Sequence, residues 1–161
     1  MTFGEQAERE FAEILTRYPD KRSALLPSLH LVQREQGYLS SAAMEEGARR
    51  LDLHPVGVLE VATFYTWFNL KPVGKHRLQV CHNLPCTLMG AERILGTLKE
   101  ELNIGENETT LDGLFTVQRV ECLASCGTAP VVQVNDDYQE NLTPEKVRTL
   151  LKQWRAAANG R

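Results

Sequence analysis

The sequence predicts an α+β chain, with an N-terminal helical bundle over 1–74 and a small mixed sheet with two helices over 75–161. Three observations lead there. Apolar residues recur in steps of three and four through the first half, with capping and breaking residues between the stretches. The segment Lys71-Pro72-Val73-Gly74 is a turn and marks the boundary. Beyond it, short runs rich in valine alternate with two amphipathic stretches.

In the first half, Glu5 to Arg17 reads as a helix with Phe11, Ile14 and Leu15 on one side, and Tyr18-Pro19-Asp20 breaks it. A second helix runs to about Gln36, with Leu25, Leu29 and Val32 at helical spacing. Pro27 lacks an N–H, so it marks either the start of this helix or a kink in it. Gly37 suits the residue just past its end. Ser40 or Ser41 caps a third helix through Leu51. Pro55 fits the first turn of a fourth, which carries Val58, Leu59 and Ala62.

In the second half, His76 to Val80 is a strand. Leu88, Ala91, Leu95, Leu98 and Leu102 then repeat as one face of a helix. Asp112-Gly113 is a turn, and Phe115 to Val120 is a second strand. Val131 to Val134 and Tyr138 to Asn141 flank Asn135-Asp136-Asp137 as a hairpin. Thr143 caps a last helix, with Pro144 at its first position and Val147, Leu150, Leu151 and Trp154 as its buried face.

The bulk numbers exclude several classes. The chain has 161 residues, 42% hydrophobic and 24% charged, as in an ordinary globular protein. Its 18 basic and 21 acidic side chains leave a net charge of −3, the wrong sign for a nucleic-acid partner. No apolar run approaches the roughly 18 residues of a membrane span. The stretch Met1 to Phe11 is acidic and has no apolar core, so no secretory signal is read there. These features point to a cytoplasmic location, where disulfides do not persist.

Four cysteines therefore need another explanation. Four residues separate Cys81 from Cys86, 35 separate Cys86 from Cys122, and three separate Cys122 from Cys126. Each pair follows an expected strand, so two loops can face each other at one sheet edge. Four thiolates on such loops suit one [2Fe–2S] cluster, whose sulfides need main-chain N–H groups close by. Ala124, Ser125, Gly127 and Thr128 are small enough to let amides approach sulfur. The helix expected from about Leu88 would aim its N-terminal dipole at the site. Two ferric ions, two sulfides and four thiolates sum to a charge of about −2, so an added electron meets repulsion and the potential should be low, about −400 mV. Two other readings stay open on spacing. Zinc can take four cysteines, although zinc knuckles usually place two residues between paired cysteines. A thiol–disulfide enzyme would want Cys-x-x-Cys, which is absent.

At these residues the chain resembles the thioredoxin-like [2Fe–2S] ferredoxin family, and within it the small iron–sulfur subunits of the NADH-dehydrogenase modules of respiratory complex I. The resemblance is carried by Val61-Ala62-Thr63-Phe64-Tyr65, Pro72-Val73-Gly74-Lys75, Val80-Cys81, Asp112-Gly113-Leu114-Phe115 and Glu121-Cys122-Leu123-Ala124-Ser125-Cys126. It runs from about Tyr18 to Trp154. It implies a thioredoxin-like [2Fe–2S] domain after the helical bundle, with Cys81 and Cys86 on one iron and Cys122 and Cys126 on the other. It implies one [2Fe–2S] cluster on this chain, with FMN and NADH bound by a flavoprotein partner subunit. It also implies the other peripheral-arm subunits of complex I as neighbours, at the inner face of the cell membrane without membrane insertion. The chain would be a one-electron carrier within an NADH:quinone oxidoreductase, with no complete active site of its own. NAD-linked hydrogenases and formate dehydrogenases share these motifs and the same role.

Some residues have competing readings. Phe64, Tyr65, Trp67 and Phe68 form an aromatic run, read either as packing between the helical part and the sheet or as a partner interface. His82 adjoins Cys81 but reads as a solvated loop residue, since four cysteines complete a cluster. Lys71, Lys75, His76 and Arg77 read as a wet basic surface or a docking patch. Pro130 precedes a strand beside the site, where the resemblance implies a cis peptide bond.

Overall fold

A computed structural model describes residues 4–159. Met1, Thr2 and Phe3, part of the segment read for a targeting signal, lie outside the described residues. The chain divides into two compact units, one up to Pro72 and one from Val73 onward. The division falls inside the expected turn, two residues before the expected boundary.

The first unit is four helices: α1 (Glu5–Thr16), α2 (Leu25–Gln36), α3 (Ser41–Leu51) and α4 (Pro55–Phe64). Their apolar faces meet in one core that includes Phe11, Ile14, Leu29, Val32, Met44, Leu51, Val58 and Ala62. Each end has a local cause. Ser40 Oγ accepts the Ala43 N–H at 3.1 Å and starts α3. Gly37 ends α2 at φ +80°, a conformation that costs glycine nothing. Pro27 sits in the first turn of α2, which begins two residues earlier, at Leu25. It is the third residue of the helix, where an N–H would have no intrahelical partner. On α4, Val58 and Ala62 fill the inward positions, and Leu59 is 44% exposed.

The second unit is a five-stranded mixed sheet with its helices. In chain order it contains β1 (His76–Cys81), α5 (Leu84–Leu88), α6 (Ala91–Leu102), β2 (Glu108–Thr109), β3 (Phe115–Val120), β4 (Val132–Val134), β5 (Asp137–Gln139) and α7 (Pro144–Asn159). The strand order is β2-β3-β1-β4-β5. β1 runs parallel to β3 and antiparallel to β4. Leu78, Val80, Phe115, Val117, Val132 and Val134 form one core with Ile94, Leu95 and Leu98 of α6 and Val147 and Leu151 of α7. Two helices therefore cover the sheet, as the apolar spacing requires.

Gly74 is needed where β1 begins. A Cβ there would lie 2.7 Å from the Phe115 backbone, and its N–H donates to Thr116 Oγ1 at 2.6 Å. β2 went unread in the sequence because two residues carry no period. The hairpin loop is two residues, Asn135 and Asp136, since Asp137 already pairs with Val134.

The expected helix from Leu88 is the main correction. Cys86 lies inside the five-residue helix α5, the chain breaks at Gly90 with φ +100°, and α6 starts at Ala91. Leu88 is 76% exposed and belongs to no buried face. No long-helix dipole starts directly after Cys86.

Candidate metal centre

The β1–β3 register gathers the site. Cys81, the last residue of β1, pairs with Val120, the last residue of β3. Parallel strands end at the same edge, so the loops carrying Cys86 and Cys122 leave the sheet side by side. The Cys81 N–H donates to the Val131 carbonyl at 3.2 Å, which ties the start of β4 to the same edge. The Ala129–Pro130 peptide beside it is cis, as the resemblance implied.

All four cysteines are free. Cys81 and Cys86 are each 1% exposed and pack with Ala91, Ala129 and Val131. Cys122 and Cys126 are exposed, with their Sγ atoms 3.6 Å apart. A tetrahedral metal with bonds of about 2.3 Å to sulfur sets its ligand sulfurs about 3.8 Å apart. The second pair is therefore spaced for one iron without rearrangement.

The electrostatics join the two pairs. Burial pushes the Cys86 thiol up to about 11, with Cys81 and Cys126 adding repulsion and the Val131 N–H opposing it. Cys126 is raised first by its contact with Cys122, then by burial and by the charges of Cys122 and Cys81. Sulfurs that repel one another this way need cations among them before all can ionise. Among the described residues, no three histidine, cysteine, aspartate or glutamate side chains are gathered for a single ion. A two-iron centre asks less of each iron's surroundings, since it takes two cysteines per metal.

Main-chain amides face the sulfurs, as the small residues led one to expect. The Ala124 N–H lies 3.3 Å from Cys122 Sγ, and the Val131 N–H donates to Cys86. Ala124 reaches this position at φ +59°. The donor set of four thiols, two amides at sulfur and a metal-spaced pair fits a [2Fe–2S] group.

The residues that support the ligands were not legible in the sequence. Glu121 reaches back to the first loop: its carboxylate lies 3.3 Å from His82 Nε2 and accepts from Asn83 Nδ2 at 3.3 Å. His82 is thus half-buried and turned to Glu121 rather than merely solvated. Tyr138 and Glu140, from the β5 segment, bond the loop between Cys122 and Cys126. A carboxylate or phenol many residues away leaves no local pattern to read.

The other candidates resolve unequally. In the first unit Phe68 is buried and Tyr65 packs against the helical core, while Phe64 is 76% exposed and Trp67 44%. Tyr65 and Trp67 stack with centroids 4.8 Å apart. In the second unit His76 is no wet surface residue. It stacks on Phe115 and Trp154, and burial lowers its pKa.

Known proteins share both the sequence and the fold. Residues 11–155 match the family described as thioredoxin-like [2Fe-2S] ferredoxin. An NADH-quinone oxidoreductase subunit of Rhizobium meliloti (strain 1021) is 46% identical over 98% of this chain and 91% of its own length. The corresponding NADH-quinone oxidoreductase subunit of Rickettsia bellii (strain RML369-C) is 49% identical over 89% of this chain and 87% of its own. Among solved structures, a chain of an NAD+-reducing [NiFe]-hydrogenase in the air-oxidised state shares the fold, with a TM-score of 0.73 at 20% identity. That match covers 83% of this chain and 23% of the hydrogenase chain.

Proposed function

The chain belongs to the thioredoxin-like [2Fe–2S] ferredoxin family, and from that premise we propose that it is the one-electron carrier subunit of an NADH:quinone oxidoreductase. It holds one [2Fe–2S] cluster on Cys81, Cys86, Cys122 and Cys126, and passes electrons to and from the FMN of a partner flavoprotein that binds NADH. The observation that carries this reading is the pairing of Cys81 with Val120 at the end of two parallel strands. That register brings two thiol pairs to one sheet edge.

A [2Fe–2S] cluster supplies one-electron chemistry, which complements a flavin that accepts a hydride as an electron pair. The chain's own residues do the rest. Cys81 and Cys86, in the packed wall of the site, would hold one iron, and Cys122 and Cys126, at the open side, would hold the other. The amides of Ala124 and Val131 offset negative charge on the sulfurs. Leu84, Leu88 and Met89 stand exposed on and beside α5, next along the chain to Cys86. They supply an apolar contact that a docked partner would cover, keeping water from the electron path.

In the helical unit, Val56, Leu59, Phe64 and Trp67 are exposed, and Phe64 also lines an open pocket of about 350 Å³ together with Leu53, Val61, Tyr65, Arg22 and Glu60. Exposed aromatics beside a pocket suit the apolar centre of a protein interface. We assign this face to the flavoprotein. No helix among the described residues is long and apolar enough to cross a membrane. Attachment at the inner face of the cell membrane would come through other peripheral-arm subunits.

The test is anaerobic purification of the full chain. The expected product is red-brown, contains iron and sulfide in equal amounts, and gains a paramagnetic resonance when reduced. Replacing any of the four cysteines with serine should abolish or alter that signal. Colourless, resonance-silent protein with stoichiometric zinc would reject the reading in favour of a zinc-stabilised module. Co-purification separates a respiratory assembly from a hydrogenase or formate dehydrogenase using the same carrier.

A further inference from the structure

The two halves of the metal centre are held by different means. Cys81 and Cys86 are locked by burial. Cys122 and Cys126 lie on an exposed loop whose regular structure is a 3-10 turn at Cys126–Thr128, and the groups that tether it come from β5 and the two residues after it. The Tyr138 hydroxyl donates to the Leu123 carbonyl at 2.7 Å. The Asn141 N–H donates to the Thr128 carbonyl at 2.8 Å. The Thr128 hydroxyl donates to Glu140 Oε1 at 2.6 Å, and the Ser125 hydroxyl donates to the same oxygen.

This last arrangement has a chemical consequence. A hydroxyl owns one proton to donate. Ser125 directly precedes Cys126, and Thr128 lies two residues beyond it. Ser125 Oγ and Thr128 Oγ1 also lie 2.6 Å apart, and Thr128 Oγ1 lies 3.1 Å from the Ser125 carbonyl, so both protons stay within this oxygen cluster around Glu140 Oε1 and neither is given to a sulfur. Hydrogen bonds to cluster sulfurs stabilise the more negative, reduced state and raise the potential. The two hydroxyls also hold the Glu140 carboxyl below its ordinary range, so it stays anionic at neutral pH and adds negative charge to the same side.

We propose that Glu140 is a positioning residue for the cluster, fixing the Cys126 turn and keeping the reduction potential low by holding the Ser125 and Thr128 protons away from the sulfurs. The inference rests on the four-cysteine cluster proposed above. It goes beyond that reading by giving an exposed carboxylate outside the ligand set control over the potential.

The test uses full-length, cluster-loaded protein and a redox titration followed by paramagnetic resonance. Glu140→Ala should shift the one-electron equilibrium about tenfold toward the reduced state, which is 59 mV upward. The same substitution in a Ser125→Ala/Thr128→Val background should give a clearly smaller shift, because no hydroxyl protons remain to be released. Glu140→Gln keeps an acceptor oxygen and should retain the cluster as well as the wild type while losing the charge. Faster cluster loss from Glu140→Ala than from Glu140→Gln, at unchanged circular dichroism, supports the positioning role. An unchanged potential in Glu140→Ala, or equal shifts in both backgrounds, overturns the proposal. Wild-type protein that carries no [2Fe–2S] signal would instead overturn the cluster assignment itself.

Discussion

Ala124 makes the cost of the site visible in one residue. It sits between the second pair of cysteines in the left-handed region, at φ +59°, where residues with a Cβ are strained by about 1–3 kcal/mol. In return its N–H points at Cys122 Sγ. A β-branched side chain tolerates this conformation less well than alanine. Ala124→Val should therefore destabilise the chain by about 1–2 kcal/mol in urea unfolding and speed loss of the cluster. Wild-type values for both measurements would show that the loop relaxes out of the left-handed region at no cost. The composition of this loop was informative in advance, since only small residues let amides approach sulfur. Which amide turned inward, and that Glu121, Tyr138 and Glu140 would hold the loop, depended on contacts made across many residues.

At the level of elements, boundaries followed chemistry the chain displays locally. Ser40 starts α3 by accepting the Ala43 N–H, and Ser40→Ala should cost about 1 kcal/mol in thermal or urea unfolding, with Ser40→Asp restoring most of it. An unchanged midpoint in Ser40→Ala would mean that α3 is held by packing alone. The elements that escaped sequence reading failed for identifiable reasons. The spacing Leu88, Ala91, Leu95 looks continuous in one dimension, yet Gly90 takes φ +100° and cuts it, so Cys86 belongs to α5 and Leu88 faces outward. β2 is two residues long, too short to carry alternation. The parallel pairing of β1 with β3 was invisible in either strand, because partner choice depends on the helices packed between them in the chain.

For the molecule as a whole, acid response follows from carboxylates held by arginines. In the helical unit Glu46 bonds Arg49 and Arg50, and these two guanidinium groups lower its pKa from 4.5 to about 2. A carboxyl depressed in the folded state binds fewer protons than when unfolded, so its stabilisation is full above pH 4.5 and is lost as pH falls through about 2. Wild-type protein should lose stability more steeply than Glu46→Gln across that window, read by urea midpoints at successive pH values. Parallel curves would mean that solvent screens the network entirely. The sequence by itself determined the division into helices and sheet, the apolar faces of α2 and α7, and the presence of two close thiol pairs, because period, caps and cysteine spacing are local properties of the chain. Tertiary structure alone decided that the two thiol pairs meet at one edge, that His76 is stacked rather than wet, and that the β5 segment tethers the second cysteine loop. Those outcomes depend on strand register and on contacts between distant residues, and a linear order of side chains does not contain the distances that create them.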